Sequence, residues 1–265
     1  METNIKKILN DIKQLKIQGA TNIAKAGLRA YIFKHDSKTK KQLINARPTE
    51  PLLVNVLNKA DKEGQEFILK HLEITQEKIN KFVLKLIKNN SVVFTHCHSL
   101  SVVNALIYAK KKGKKFEVYN TETRPLYQGR KTATELAKAG IKITNFIDSG
   151  ARIALTKSQD TRDVDLIFFG ADAILKKGVI NKVGSGMFAE SAFLNKIPIY
   201  ILADSWKFAN KIKLEERDFK EVWKKTPKGI KIKNPAFEMI PKKYVKAIIS
   251  DLGILSYDKF LKNVR

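Results

Sequence analysis

Cys97, the one cysteine of the chain, stands between two histidines in THCHS, after a short apolar run and ahead of a helical stretch. The N–H groups at a helix start can lower a thiol pKa and make a base of it. The flanking His96 and His98 favour a reactive thiol, and an inert buried cysteine is the alternative. Asp172 follows the most apolar run, LIFFGA, where desolvation raises a carboxyl toward a working acid–base range. Capping a turn or the next helix is its alternative role. A thiol and a carboxyl of this kind form a proton-handling pair. Cys97 with His98 also permits a cysteine hydrolase, although no oxyanion-hole motif accompanies them.

Other residues suit anionic ligands. The glycine-rich turn GVINKVGSG, Gly178 to Gly186, opens a helix near Met187, and backbone N–H groups there can hold a phosphate with Lys182 adding charge. Arg124 in TETRP and Lys207 in WKF are further phosphate or hydroxyl ligands, or solvated surface. His35 and His71 fall in the first part of the chain without ligand spacing, so no metal site is expected.

These residues need a frame. From residue 1 to 89, apolar residues recur at three- and four-residue spacing, which predicts an N-terminal helical domain. The two prolines of ARPTEPL end one helix and begin another there. From 90 to 265 short β-branched and aromatic runs alternate with helical stretches, the pattern of a Rossmann-like parallel sheet covered by helices. The spacing predicts strands at Val92 to Thr95, Phe116 to Asn120, Lys142 to Ile147, Asp165 to Phe169 and Pro198 to Ala203. Ligands of such sheets bind beyond the carboxyl ends of the strands. The five strand ends lead into HCHS, TETRP, DSGAR, GADAI and DSWKF, which bring a thiol, carboxylates, arginines and a lysine to one rim.

Composition narrows the partners. The net charge of +25 comes from lysines scattered over nearly every segment, without a clustered stripe or a nucleic-acid module, so a nucleic-acid role is not expected. Such a field still draws in phosphorylated substrates. A single cysteine excludes an internal disulfide framework and fits a reducing compartment. The charged N-terminal stretch and the absence of a bilayer-length apolar run predict a soluble, cytoplasmic protein without a membrane partner.

In order along the chain, GATNIAKAG, ARPTEPL, THCHS, NTETRPLYQGR, TELAKAGI, DSGA, GADAI, GVINKVGS, IPIY and NPAFEMIPKKYV resemble one family. It comprises the initiation factor 2B regulatory subunits, methylthioribose-1-phosphate isomerase and archaeal ribose-1,5-bisphosphate isomerase. The α/β fold fits, and the ARPTEPL and TETRP segments look most like the ribose-1,5-bisphosphate enzyme. The family's isomerases are similar to this chain at the cysteine after the first strand and the aspartate of GAD, a pair the noncatalytic subunits lack. The resemblance therefore implies an isomerase turning ribose 1,5-bisphosphate into ribulose 1,5-bisphosphate in AMP salvage, with Cys97 and Asp172 catalytic. A noncatalytic subunit binding initiation factor 2, or a methylthioribose-1-phosphate isomerase, is the alternative. It further implies substrate contacts from Gly19, Ala20, Arg47, Arg124, Gln128, Asn181, Lys182 and Lys207, with Gln18 in place of a family arginine and Lys16 close by. No cofactor is implied; a homo-oligomer and an AMP effector are. In this chemistry Asp172 would move a proton at the ring or C2 oxygen, while Cys97, as thiolate, would take the C2 proton and return it at C1.

Overall fold

The computed structural model describes residues 2–158 and 160–264. Four helices come first: α1 (Glu2–Lys13), α2 (Ala20–Phe33), α3 (Ser37–Ala46) and α4 (Pro51–Leu86). Asp36 caps α3 by accepting the Thr39 N–H at 2.6 Å, and Pro51 opens α4, where a missing N–H costs nothing. Gly64 breaks α4 with φ 77° and ψ 167°, a conformation essentially reserved for glycine. Before that break α4 packs Leu53 and Leu57 with Ile12, Ile23 and Leu43 of the preceding helices. Beyond it, Ile79 and Val83 join the core of the sheet that follows.

That sheet has seven strands in the order β10-β9-β7-β4-β1-β2-β3. They are β1 (Ser91–Thr95), β2 (Phe116–Thr121), β3 (Lys142–Phe146), β4 (Leu166–Phe169), β7 (Ile199–Leu202), β9 (Ala247–Ser250) and β10 (Gly253–Leu255). All neighbours pair in parallel except β9 with β10. The chain winds outward from β1 through β2 to β3, then returns to the other side of β1 with β4, so the order reverses between β1 and β4. Loops diverge there and leave a crevice.

Helices cover both faces, which is why the central strands are apolar without alternation. Val93, Leu166 and Phe168 point toward α5 (Leu100–Lys111), α6 (Gln128–Lys138) and the end of α4. Val92, Phe94, Ile167 and Phe169 point the other way, to α7 (Ala151–Leu155), α8 (Ser185–Leu194) and α9 (Tyr257–Asn263). The five strands expected from sequence all form. Unexpected is a second antiparallel sheet of β5 (Ala173–Ile174), β6 (Gly178–Lys182) and β8 (Phe237–Pro241). Its β6 lies inside the segment that reads as a glycine-rich turn, and of its two partners β8 is far along the chain, so no local signal betrays that pairing, while β5 is only two residues long. No described helix is long and apolar enough to cross a membrane.

Candidate active site

Strand β1 runs straight into Cys97, whose backbone takes φ 68°, the left-handed region that a residue with a Cβ seldom adopts. Two threonines hold it there: its N–H donates to Thr123 Oγ1 at 3.0 Å and its carbonyl accepts from Thr132 Oγ1 at 2.8 Å. Thr123 is fixed in turn, because Asp148 accepts the N–H groups of Thr123 and Arg124 at 2.9 and 2.6 Å. The loops after β1, β2 and β3 are thus laced together around the thiol.

The two flanking histidines are part of that lacing. His96 Nε2 donates to the Val183 carbonyl at 3.0 Å while Nδ1 meets Thr121 Oγ1, and burial lowers its pKa to about 4, so the ring is neutral. Thr132, having given its proton to the Cys97 carbonyl, must accept from His98 Nδ1 at 3.0 Å. His98 Nε2 has no hydrogen-bond partner among the described residues, so His98 braces the loop and does not activate the thiol as a hydrolase would require. Burial pushes the Cys97 thiol up to about 12, with Lys182 opposing the rise and Asp172 adding to it. The thiolate expected from the helix start is therefore absent at rest: desolvation outweighs the helix N–H groups.

Asp172 leaves β4 with its N–H bonded to the Ile180 carbonyl at 2.9 Å. Burial raises its carboxyl pKa, as its position after LIFF suggests, and Lys207, Arg47 and Lys182 pull it back down. Lys207 is 6% exposed and donates to the Ala171 carbonyl at 2.6 Å, which places its charge beside that carboxyl.

A cavity of about 120 Å³ lies at this point, above the reversal between β1 and β4. Gly19, Ala20, Arg47, Cys97, Gln128, Asp172, Asn181, Lys182 and Lys207 all line it. Arg124 does not: its side chain is exposed and bonds Tyr127 Oη at 2.7 Å and the Val222 carbonyl at 3.3 Å, while its backbone serves the loop. Gln18 lines the cavity with its amide turned back to the Leu15 carbonyl, and Lys16 lies at the surface, 3.6 Å from Asp11.

The glycine turn before α8 has a different occupant from the phosphate expected there. Glu238 Oε1 accepts from the N–H groups of Gly184 and Gly186 at 2.6 and 2.8 Å, so a carboxylate of the protein fills that anion seat. Asn181 supports the turn, donating to Ser185 Oγ at 2.9 Å. The cavity is instead fronted by the starts of α2, α4 and α5, at Gly19, Glu50 and Ser99, none of which has a side-chain cap. Uncapped helix starts favour anions.

Three charged cavity residues escaped the sequence reading: Glu50, Glu215 and Arg217. Glu215 and Arg217 belong to an irregular stretch after β7 whose charges look solvated in sequence. Arg47 lies 3.6 Å from Glu50 and 3.4 Å from Glu215. Of the six buried side-chain atoms without a hydrogen-bond partner among the described residues, five belong to the cavity lining: Arg47 Nε, Glu50 Oε2, His98 Nε2, Gln128 Oε1 and Glu215 Oε2. Glu215 Oε2 has only the 3.4 Å ion pair to Arg47 and His98 Nε2 only Glu135 at 3.9 Å; hydrogen-bonding capacity left over around one hollow suits a polar ligand, since buried groups otherwise find partners. A separate grouping of metal-type side chains, His71, Asp204 and Asp251, is already used internally: Asp204 accepts from Trp206 N–H, and both Asp251 oxygens accept from Ser205.

The sequence model of the initiation factor 2 subunit family matches residues 13–257. The chain belongs to that family. Within it, the chain is 33% identical to the ribose 1,5-bisphosphate isomerase of Methanocaldococcus jannaschii, over 95% of this chain and 91% of that protein. It is 30% identical to a putative translation initiation factor eIF-2B subunit 2-like protein of Pyrococcus furiosus, over 94% of this chain and 95% of the relative. Among solved structures, the Pyrococcus horikoshii translation initiation factor eIF-2B superposes with a TM-score of 0.82 at 27% identity, covering 95% of this chain and 96% of the other. The family thus holds both enzymes and translation factors with this fold, and the contents of the cavity must separate them.

Proposed function

We propose that the protein is a sugar-phosphate isomerase converting ribose 1,5-bisphosphate to ribulose 1,5-bisphosphate in AMP salvage. The observation that carries this reading is the cavity at the β1–β4 reversal, where Cys97 and Asp172 meet a wall of Arg47, Lys182, Lys207 and Arg217. Arg47, Lys182 and Lys207 with the uncapped helix starts suit two phosphates, while Arg217 is held by Glu215 and Glu221 at 2.8 and 2.6 Å; the thiol and carboxyl suit proton transfer.

The state of the thiol supports an order of steps. A thiol at about 12 keeps its proton at neutral pH, and Lys207, Arg47 and Lys182 offset part of the rise that burial imposes on the Asp172 carboxyl. The base is then Asp172 and the acid Cys97, the reverse of the assignment drawn from sequence. Asp172 takes the proton from C2, the C1=C2 bond forms, the bond from C1 to the ring oxygen breaks, and that oxygen takes the Cys97 proton. The thiolate, stabilised by Lys182, then removes the C2 hydroxyl proton as C2=O forms, and Asp172 delivers its proton to C1. Both groups end as they began, C1 keeps its phosphate, and no atoms are gained or lost. A carboxyl whose pKa burial raises is a stronger base, once ionised, than a free one.

Exposed Met187, Phe193 and Leu194 on α8 support a homo-oligomeric form, with AMP as the effector that the family resemblance implies. The similarity to the Pyrococcus furiosus translation-factor relative supports a second reading, a subunit that binds initiation factor 2. The two are separated by giving the purified protein ribose 1,5-bisphosphate and methylthioribose 1-phosphate in parallel. The first is expected to yield ketose and the second none. Turnover of the second alone, or of neither while initiation factor 2 binds tightly, overturns the proposal.

A further inference from the structure

Glu50 is the N-cap residue of α4, yet its side chain makes no capping bond. It is 1% exposed, it lines the cavity, and its Oε2 has no hydrogen-bond partner among the described residues. The backbone does the structural work of the turn: Glu50 N–H bonds the Arg47 carbonyl at 3.2 Å, and its own carbonyl accepts the Leu53 N–H at 3.1 Å. A buried carboxyl that neither caps a helix nor completes a hydrogen bond at Oε2 is costly to keep, unless a ligand completes it.

We propose that Oε2 of Glu50 bonds a hydroxyl of the bound sugar, so that Glu50 selects the unphosphorylated middle of the substrate while Arg47 beside it takes a phosphate. This rests on the isomerase reading above. The groups facing Glu50 are Arg47 at the end of α3, Asp172 after β4, Lys207 in the turn after β7, and Glu215 in the irregular stretch beyond. Burial, with Asp172 next, raises the Glu50 pKa to about 8, so the side chain is a neutral acid at pH 7. A neutral carboxyl both donates and accepts, which matches a hydroxyl. It also leaves the Arg47 charge, already shared with Glu215 at 3.4 Å, available to a phosphate. Above pH 8 the proton leaves, a negative charge arises beside the bound phosphate, and affinity falls.

The test is KM and kcat for ribose 1,5-bisphosphate from pH 7 to 9.5 in wild type, Glu50→Gln and Glu50→Ala, with inorganic phosphate as a competitive inhibitor. Wild-type KM is expected to rise about tenfold across pH 8, while Glu50→Gln, which cannot ionise, starts near wild type and stays flat. Glu50→Ala is expected to raise KM about tenfold at pH 7 without weakening inhibition by inorganic phosphate, which has no sugar hydroxyl. A parallel KM rise in Glu50→Gln, an unchanged KM in Glu50→Ala, or equal loss of sugar and phosphate binding overturns the proposal. Should a variant fail to fold, the wild-type profile decides, because a KM flat across pH 8 is contradictory by itself. If wild type binds ribose 1,5-bisphosphate without turning it over, the isomerase reading fails, and calorimetric affinities across the same variants and pH range judge Glu50 separately.

Discussion

Cys97 keeps its proton because a thiolate in that pocket would lose more hydration than Lys182 returns, and burial therefore sets its pKa near 12. The proposed reaction uses it as an acid, and its reactivity should reflect a protonated thiol. Iodoacetamide at pH 7.5 is expected to label the native protein on the order of 100-fold more slowly than free cysteine, the smaller thiolate fraction being partly offset by greater intrinsic nucleophilicity. Urea should restore the free-thiol rate. Labelling of the folded protein as fast as free cysteine would show an ionised thiol and return the base role to sulfur. Cys97 and Asp172 were legible in the sequence because each ends an apolar strand, where a polar residue needs a reason to be present. Glu50 and Arg217 were not legible. Neither sits at a strand end, and only the folded chain brings both to the same hollow.

The elements hold the thiol by close approach. Helix α6 begins at Gln128 directly beneath the end of β2, and Gly129 makes that possible: a Cβ there would lie 1.7 Å from the Thr121 carbonyl oxygen. The same junction has Gly129 N–H bonded to the Glu122 carbonyl at 3.2 Å and carries the loop whose Thr123 anchors Cys97. Gly129→Ala is expected to cost at least about 3 kcal/mol through backbone displacement, read as a lowered urea midpoint, with activity lost along with the loop. An unchanged midpoint would mean that α6 can move away freely. The sheet's central strands were readable because helices on both faces demand continuous apolar runs. Strands β6 and β8 were not, since their pairing joins segments far apart in the chain and leaves no periodic trace, and glycine at both ends of GVINKVG disguises β6 as a turn; β9 and β10 form a hairpin of four- and three-residue strands, too short for a period to show.

On the scale of the whole molecule, topology puts the thiol and the carboxyl together. Reversal of strand order between β1 and β4 opens the crevice, the N-terminal helices close it from above with Gly19 and Arg47, and the stretch after β7 closes it from the side with Glu215 and Arg217. The chain carries a net charge of +25, a field that favours the approach of anionic ligands. The N-terminal helices and the gathering of polar strand ends at one rim were both within reach of the sequence, through helical periodicity and the run of polar residues after the strands. The placement of Glu238 on the glycine turn was not, because it depends on β8 pairing with β6. The measurement that bears most directly on the account is formation of ribulose 1,5-bisphosphate from ribose 1,5-bisphosphate by wild type, Cys97→Ser and Asp172→Asn, with thermal unfolding followed alongside. Wild type should turn over, and each variant should lose activity by at least about 10²–10⁴-fold with its unfolding midpoint nearly unmoved. Substantial activity in either variant, or unfolding that accompanies the loss, would contradict a thiol and a carboxyl acting together on one substrate.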